Sequence, residues 1–129
     1  MVASYPVSTS RFGLGSEAGS FKTPLGRFRI GEKVGAEMPL GTIFRARIAL
    51  APHEPLPETE DWITTRILWL EGLEEENANT RDRFIYIHGT RHEAEIGRPA
   101  SHGCVRMRNA DIADLFDRVG VGTEVLIEA

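Results

Sequence analysis

Ile63-Thr64-Thr65-Arg66-Ile67-Leu68-Trp69-Leu70 is the stretch on which the fold turns. β-branched and aromatic residues dominate it, and after Arg66 it is continuously apolar. That pattern fits a strand buried on both faces, and so a strand in the middle of a sheet. Outward from it, Phe84-Ile85-Tyr86-Ile87 reads as a short apolar strand that delivers His88, with Gly89 letting the backbone turn. Arg27-Phe28-Arg29-Ile30 follows the turn Thr23-Pro24-Leu25-Gly26 in strict alternation, and Thr42 to Leu50 alternates again, as half-buried strands do. Thr123 to Ile127 closes the chain as a further strand.

The remaining stretches read mostly as connections. Val2 to Thr9 is broken by Pro6 and suits an edge strand or an extended lead-in. Arg11 to Lys22 is a Gly/Ser loop whose glycine spacing does not match a phosphate-binding loop. Ala51 to Asp61, with Pro52, Pro55 and Pro57, is an exposed loop, and Glu71 to Arg83 is a polar loop or short helical turn. The one clear helix covers about 109–119. Asn109 is placed to cap it, Asp111 sits at its positive end, Gly120 ends it, and Ile112, Leu115, Phe116 and Val119 recur at helical spacing. Strands without repeated strand-helix alternation predict a mainly β sandwich or barrel rather than a doubly wound α/β fold.

At 129 residues, one domain spanning 1–129 is expected. Lys and Arg total 15 against 19 Asp and Glu, so no broad basic field exists to hold nucleic acid or anionic lipid. No apolar run approaches the roughly 18 residues of a membrane span, and no signal segment is visible near Met1.

Cys104 is the only cysteine, and it lies in Ser101-His102-Gly103-Cys104-Val105-Arg106. A thiol attacks carbonyls as the thiolate and needs a base within hydrogen-bond reach; His88 and His102 are the candidates. If 101–105 is extended, His102 and Cys104 share a face, and Arg106 continues the same parity as a cation able to bind a substrate carboxylate. Backbone amides around Gly103 and Cys104 are the candidate oxyanion donors. Zinc held by His88, His102 and Cys104 is the competing reading, but paired-ligand motifs are lacking and Arg106 opposes a cation. His53 and His92 sit in polar loops and receive no role.

Ile87-His88-Gly89-Thr90, Ile96-Gly97 and Ser101-His102-Gly103-Cys104-Val105-Arg106-Met107 together resemble the signature of the L,D-transpeptidase catalytic domain, or YkuD domain. Tyr5 to Thr9, Thr23-Pro24-Leu25-Gly26 and Gly122-Thr123-x-Val125 extend the resemblance over nearly the whole chain. The resemblance implies a mainly β, sandwich-like fold of mixed strands. It makes Cys104 the nucleophile, with His88 the general base oriented by the carbonyl of Gly89. His102, Gly103 and Cys104 would shape the oxyanion site, with Ser101 supporting and Arg106 contacting substrate. The implied partners are peptidoglycan stem peptides, with acyl transfer to an amine or to water and no metal or organic cofactor. A non-catalytic peptidoglycan-binding module of the same fold is the alternative. The implied location is the cell envelope or periplasm. Family domains usually begin with one or two strands before the segment matching Tyr5-Pro6-Val7. The expectation is therefore a domain lacking that strand, with an exposed sheet edge that favours association.

Overall fold

The computed structural model describes residues 3–16, 19–45, 47–50, 62–99, 101 and 103–128. Among these, β1 is Gly26–Val34, β2 Ile43–Arg45, β3 Ile48–Ala49, β4 Ile63–Gly72, β5 Tyr86–Thr90, β6 Val105–Met107, α1 Asn109–Arg118 and β7 Glu124–Ile127. Short 3-10 turns occupy Glu75–Asn77 and Glu93–Glu95. The expected loop at 51–61 lies outside the described residues.

β4 is the centre of one mixed sheet, as its apolar run predicts. Ile67 pairs with Val34 of β1 and with His88 of β5, both antiparallel, so β1 and β5 flank it. β2 takes over from β1 further along, β7 pairs with β1, and β6 joins β5 in parallel. The two faces of β4 enter different cores. Leu68 and Leu70 join Phe28, Ile30, Ile85, Ile87, Val105 and Met107 under α1. Ile67 and Trp69 join Phe44 and Tyr86 on the opposite face, against which Cys104 packs. Period-two geometry enforces this split, so the sequence alternation Tyr86, His88 on β5 points both residues toward the second core.

The helix forms over the predicted span and buries Ile112 and Phe116 in the first core. Each contributes about 1.5–3 kcal/mol by leaving water. Its ends differ from expectation. Arg108 occupies the cap position with no side-chain bond, and Asn109 is the first helical residue, its side chain turned into the sheet. At the other end Val119 is extended, and Lys33 Nζ donates to the carbonyls of Phe116 and Val119, both at 2.7 Å. A cation on the last carbonyls, rather than a left-handed Gly120, closes the helix.

Thr42 to Leu50 is not one strand. It folds into the β2–β3 hairpin, with Arg47 in the left-handed region at φ 66. The lead-in is extended as expected and lies along β6: Ser8 N–H donates to Arg106 O at 2.9 Å and Arg106 N–H to Ser8 O at 2.8 Å. Ser8 therefore lies against the outer edge of β6, and Ser10 pairs with Ser101 ahead of that strand.

Candidate active site

His88 is 3% exposed and stands on β5 with its Nδ1 2.6 Å from the carbonyl oxygen of Gly89. A carbonyl only accepts, so Nδ1 must carry the proton there, which leaves Nε2 as the acceptor in the neutral ring. Gly89 does not turn the chain as the sequence predicts. It remains in β5, and its lack of a side chain answers a close approach: a Cβ would meet Asn109 Oδ1 at 2.6 Å, Thr64 O at 2.7 Å and Thr64 Oγ1 at 2.9 Å. Those atoms belong to a polar knot behind the histidine. Asn109 Oδ1 accepts from the hydroxyls of Thr64 and Thr65, both at 2.5 Å, and its Nδ2 donates to Thr90 O at 3.3 Å. Thr64 pairs with Gly89 and Ile67 with His88, so Thr65 and Arg66 form a bulge opposite the histidine. Thr65 takes φ 70 there, an uncommon state for a β-branched residue, held by bonds from Gly41 N–H and to Thr42 O.

Gly103 and Cys104 form a bend rather than the extended segment expected, and β6 begins only at Val105. Gly103 adopts φ 124, open to glycine alone at low cost. Ser101 Oγ accepts from Gly103 N–H at 3.2 Å and donates to Cys104 O at 2.6 Å, closing the bend on itself. The Gly103 amide is thereby engaged within the bend. Thr23 adds an outside anchor, its hydroxyl donating to Gly103 O at 2.9 Å while accepting from Ser10 N–H at 2.9 Å.

The bend presents Cys104, half-buried, with Sγ accepting from Tyr86 N–H at 3.3 Å and lying 3.4 Å from Phe84 O. β6 runs parallel to β5 with Ile87 opposite Val105 and His88 opposite Arg106. Cys104 is thus level with Tyr86, and His88 lies two residues further along the same face, about 7 Å by strand rise. A thiol and an imidazole face the same side of these paired strands. His102 lies outside the described residues.

Arg106 does alternate onto this face, but its side chain is only 4% exposed and its Nη1 lies 3.5 Å from Glu95 Oε1. Glu95 also faces His92 Nδ1 at 3.2 Å, and its carbonyl accepts from Ser8 Oγ. Arg106 thus stands buried on this face beside a carboxylate of its own chain. The cation that borders the thiol's neighbours is Arg47, whose Nη1 donates to Tyr86 Oη at 2.9 Å.

The model of the L,D-transpeptidase catalytic domain, YkuD, matches residues 1–127. The chain belongs to this family. Among curated L,D-transpeptidases, YqjB of Bacillus subtilis is 46% identical over 48 residues, 37% of this chain and 27% of that protein. YbiS of Escherichia coli K12 is 56% identical over 43 residues, 33% and 14% of the two. Of solved structures, the L,D-transpeptidase from Mycobacterium smegmatis is 19% identical, with a TM-score of 0.56 covering 99% of this chain and 49% of that one. L,D-transpeptidase 3 from Mycobacterium tuberculosis, in complex with a faropenem-derived adduct, is 16% identical with a TM-score of 0.58, covering 97% and 44%. At that identity the likeness concerns the fold. This L,D-transpeptidase-family chain spans about half the length of the solved chains, and its matches cover about a quarter or less of the curated ones. Among the described residues no helix is long and apolar enough to cross a membrane.

Sequence reading alone missed Thr23, Asn109 and the Thr64–Thr65 bulge. Thr23 read as turn punctuation and Asn109 as a helix cap, since both types favour those places. One signal was present: a threonine pair inside an otherwise apolar strand must find hydroxyl partners when buried.

Tyr86 ties the site to the second core. Burial raises its phenol above the ordinary tyrosine range, against the opposing bond from Arg47, while the neighbouring Cys104 pushes it further up. The phenol therefore stays protonated, and its oxygen accepts from Arg47.

Proposed function

We propose that this chain is a peptidoglycan L,D-transpeptidase acting through Cys104. His88 Nε2 takes the thiol proton, and sulfur adds to the carbonyl carbon joining the position-three L-centre of a stem tetrapeptide to D-alanine. The carbon–nitrogen bond breaks, the departing D-alanine nitrogen takes the proton from His88, and a thioester remains. An acceptor amine then attacks the thioester and passes its proton through His88 to the leaving sulfur, giving a 3→3 cross-link; water in its place gives an L,D-carboxypeptidase. Gly89 orients the base through its carbonyl. Ser101 and Gly103 shape the bend beside the developing oxyanion, together with His102 and the Cys104 amide. Arg106, opposite His88 on β6, contacts the substrate, with Glu95 3.5 Å from its Nη1. The substrate class makes the cell envelope the place of action.

The observation that carries this reading is a lone thiol and a histidine on one face of paired strands, the histidine's Nδ1 tied to Gly89 O at 2.6 Å so that Nε2 accepts. The test is incubation with a carbapenem followed by intact-mass measurement. The drug's mass should appear on the native protein and not on Cys104→Ala; an unmodified native chain would refute the proposal. A disaccharide tetrapeptide then separates the outcomes: dimer means transpeptidation, tripeptide means hydrolysis, and bound but unchanged peptide means a binding module.

A further inference from the structure

The second core opens toward the thiol through an aromatic cluster that carries a cation. Trp69 and Phe84 stack with centroids 5.8 Å apart, and Tyr86 meets Trp69 edge-on at 5.5 Å. The Arg47 guanidinium lies over this cluster, 4.7 Å from the Trp69 ring and 5.5 Å from the Phe84 ring, and donates one N–H to Tyr86 Oη. The same two residues border sulfur: Cys104 Sγ touches Phe84 O and Tyr86 N–H.

A guanidinium carries five N–H donors in a planar fork. Here one is used by Tyr86, and the aromatic stacking fixes the plane and strips part of its hydration. Among the described residues no carboxylate lies within ion-pair distance of Arg47, whereas Arg81, which lies 4.0 Å from the Trp69 ring, is paired with Glu32 and Glu71, and Arg106 faces Glu95. Arg47 also sits at the tip of the β2–β3 hairpin at φ 66, a backbone state that a non-glycine residue holds only when its surroundings demand it. Phe84 remains 52% exposed, so the cluster is reachable from solvent.

We propose that Arg47, held by Trp69, Phe84 and Tyr86, reads the free α-carboxylate of the residue that leaves when Cys104 attacks. The ligand class is a peptide ending one residue beyond the attacked carbonyl, and the site discriminates against a blocked or amidated terminus. This rests on the acyl-transfer reading for its substrate but not for its anion preference. Arg47 is a specificity-determining residue in contact with substrate; it takes no proton.

Because Cys104 is the only cysteine, alkylation reads one position. The probes are iodoacetate, which is anionic, and iodoacetamide, which is neutral, compared on native, Arg47→Gln and Arg47→Lys proteins, with near-ultraviolet circular dichroism checking that Trp69 keeps its packing. The iodoacetate-to-iodoacetamide rate ratio should fall several-fold in Arg47→Gln and less in Arg47→Lys. In parallel, a tetrapeptide with a free terminus should exceed its carboxamide in kcat/KM by about ten- to hundredfold on the native enzyme, the range of a charge-assisted hydrogen bond, and the two should be equal on Arg47→Gln. An unchanged alkylation ratio together with an unchanged terminus preference overturns the proposal. If the native enzyme turns over neither peptide, the acyl-transfer reading fails, and the alkylation ratio alone decides for or against Arg47.

Discussion

Replacing Gly89 with alanine adds one methyl group where β5 has no room for it. The new Cβ would stand 2.6 Å from Asn109 Oδ1, 2.7 Å from Thr64 O and 2.9 Å from Thr64 Oγ1, all well inside van der Waals contact. None of these atoms yields cheaply. Thr64 O is backbone of the central strand, and Asn109 Oδ1 is held by two threonine hydroxyls. Forcing a methyl into such packing costs about 1–3 kcal/mol, and for a chain of this length that lowers Tm by about 3–15 °C. The strain falls on the peptide whose carbonyl fixes His88 Nδ1 at 2.6 Å. A base that loses its orientation forfeits part of the roughly 10²–10⁴-fold that general base catalysis supplies, so carbapenem acylation of Cys104 should slow at least about tenfold. Gly120→Ala is the control, since nothing lies within 4 Å of its Cβ position and its φ is ordinary. Differential scanning calorimetry and stopped-flow acylation measure the two effects. If Gly89→Ala melts within about 1 °C of native, inside the range of a neutral surface change, and acylates at the native rate, the close approach does not govern this site.

Four further outcomes follow from the same contacts. Asn109→Ala strands the buried hydroxyls of Thr64 and Thr65; it should cost about 1–3 kcal/mol in chemical denaturation, while Asn109→Asp, which keeps the accepting oxygen, recovers part of it. Thr23→Val removes the hydroxyl that bridges Ser10 N–H and Gly103 O, so iodoacetamide alkylation of Cys104 should change rate more than the melting temperature does. The Tyr5 hydroxyl first, and Arg118 second, hold the Asp114 carboxyl below its ordinary range. A depressed folded value means stability present above the unfolded pKa and lost as pH falls through the folded one, so the native-minus-Asp114→Asn difference in Tm should be full at neutral pH and close on acidification. Phe116→Ala opens the first core beneath the helix and should cost about 3–5 kcal/mol by denaturant titration without altering the chemistry on the opposite face.

The skeleton was legible from neighbouring residues along the chain. An apolar run in 63–70 dictated a central strand buried on both faces, alternation placed β1, and helical spacing with Asp111 at the start placed α1. These signals are legible because period and composition act between neighbours in the chain. Cys104 was legible as a candidate for a different reason: few residue types activate a thiol, and two of them, His88 and His102, lie near it in the motifs. Tertiary structure decided what distant parts of the chain do to one another. Alternation through Thr42 to Leu50 reads as one strand, yet the chain reverses at Arg47, which sets a cation over Trp69 and Phe84. Arg106 has the parity of a clamp, and only the folded chain sets Glu95 3.5 Å from its Nη1. Gly103 and Cys104 read as extended, but hydroxyls of Ser101 and Thr23 hold them in a bend. Chain-local patterns choose strands and helices; hydrogen bonds and ion pairs between residues tens of positions apart choose where each functional side chain points.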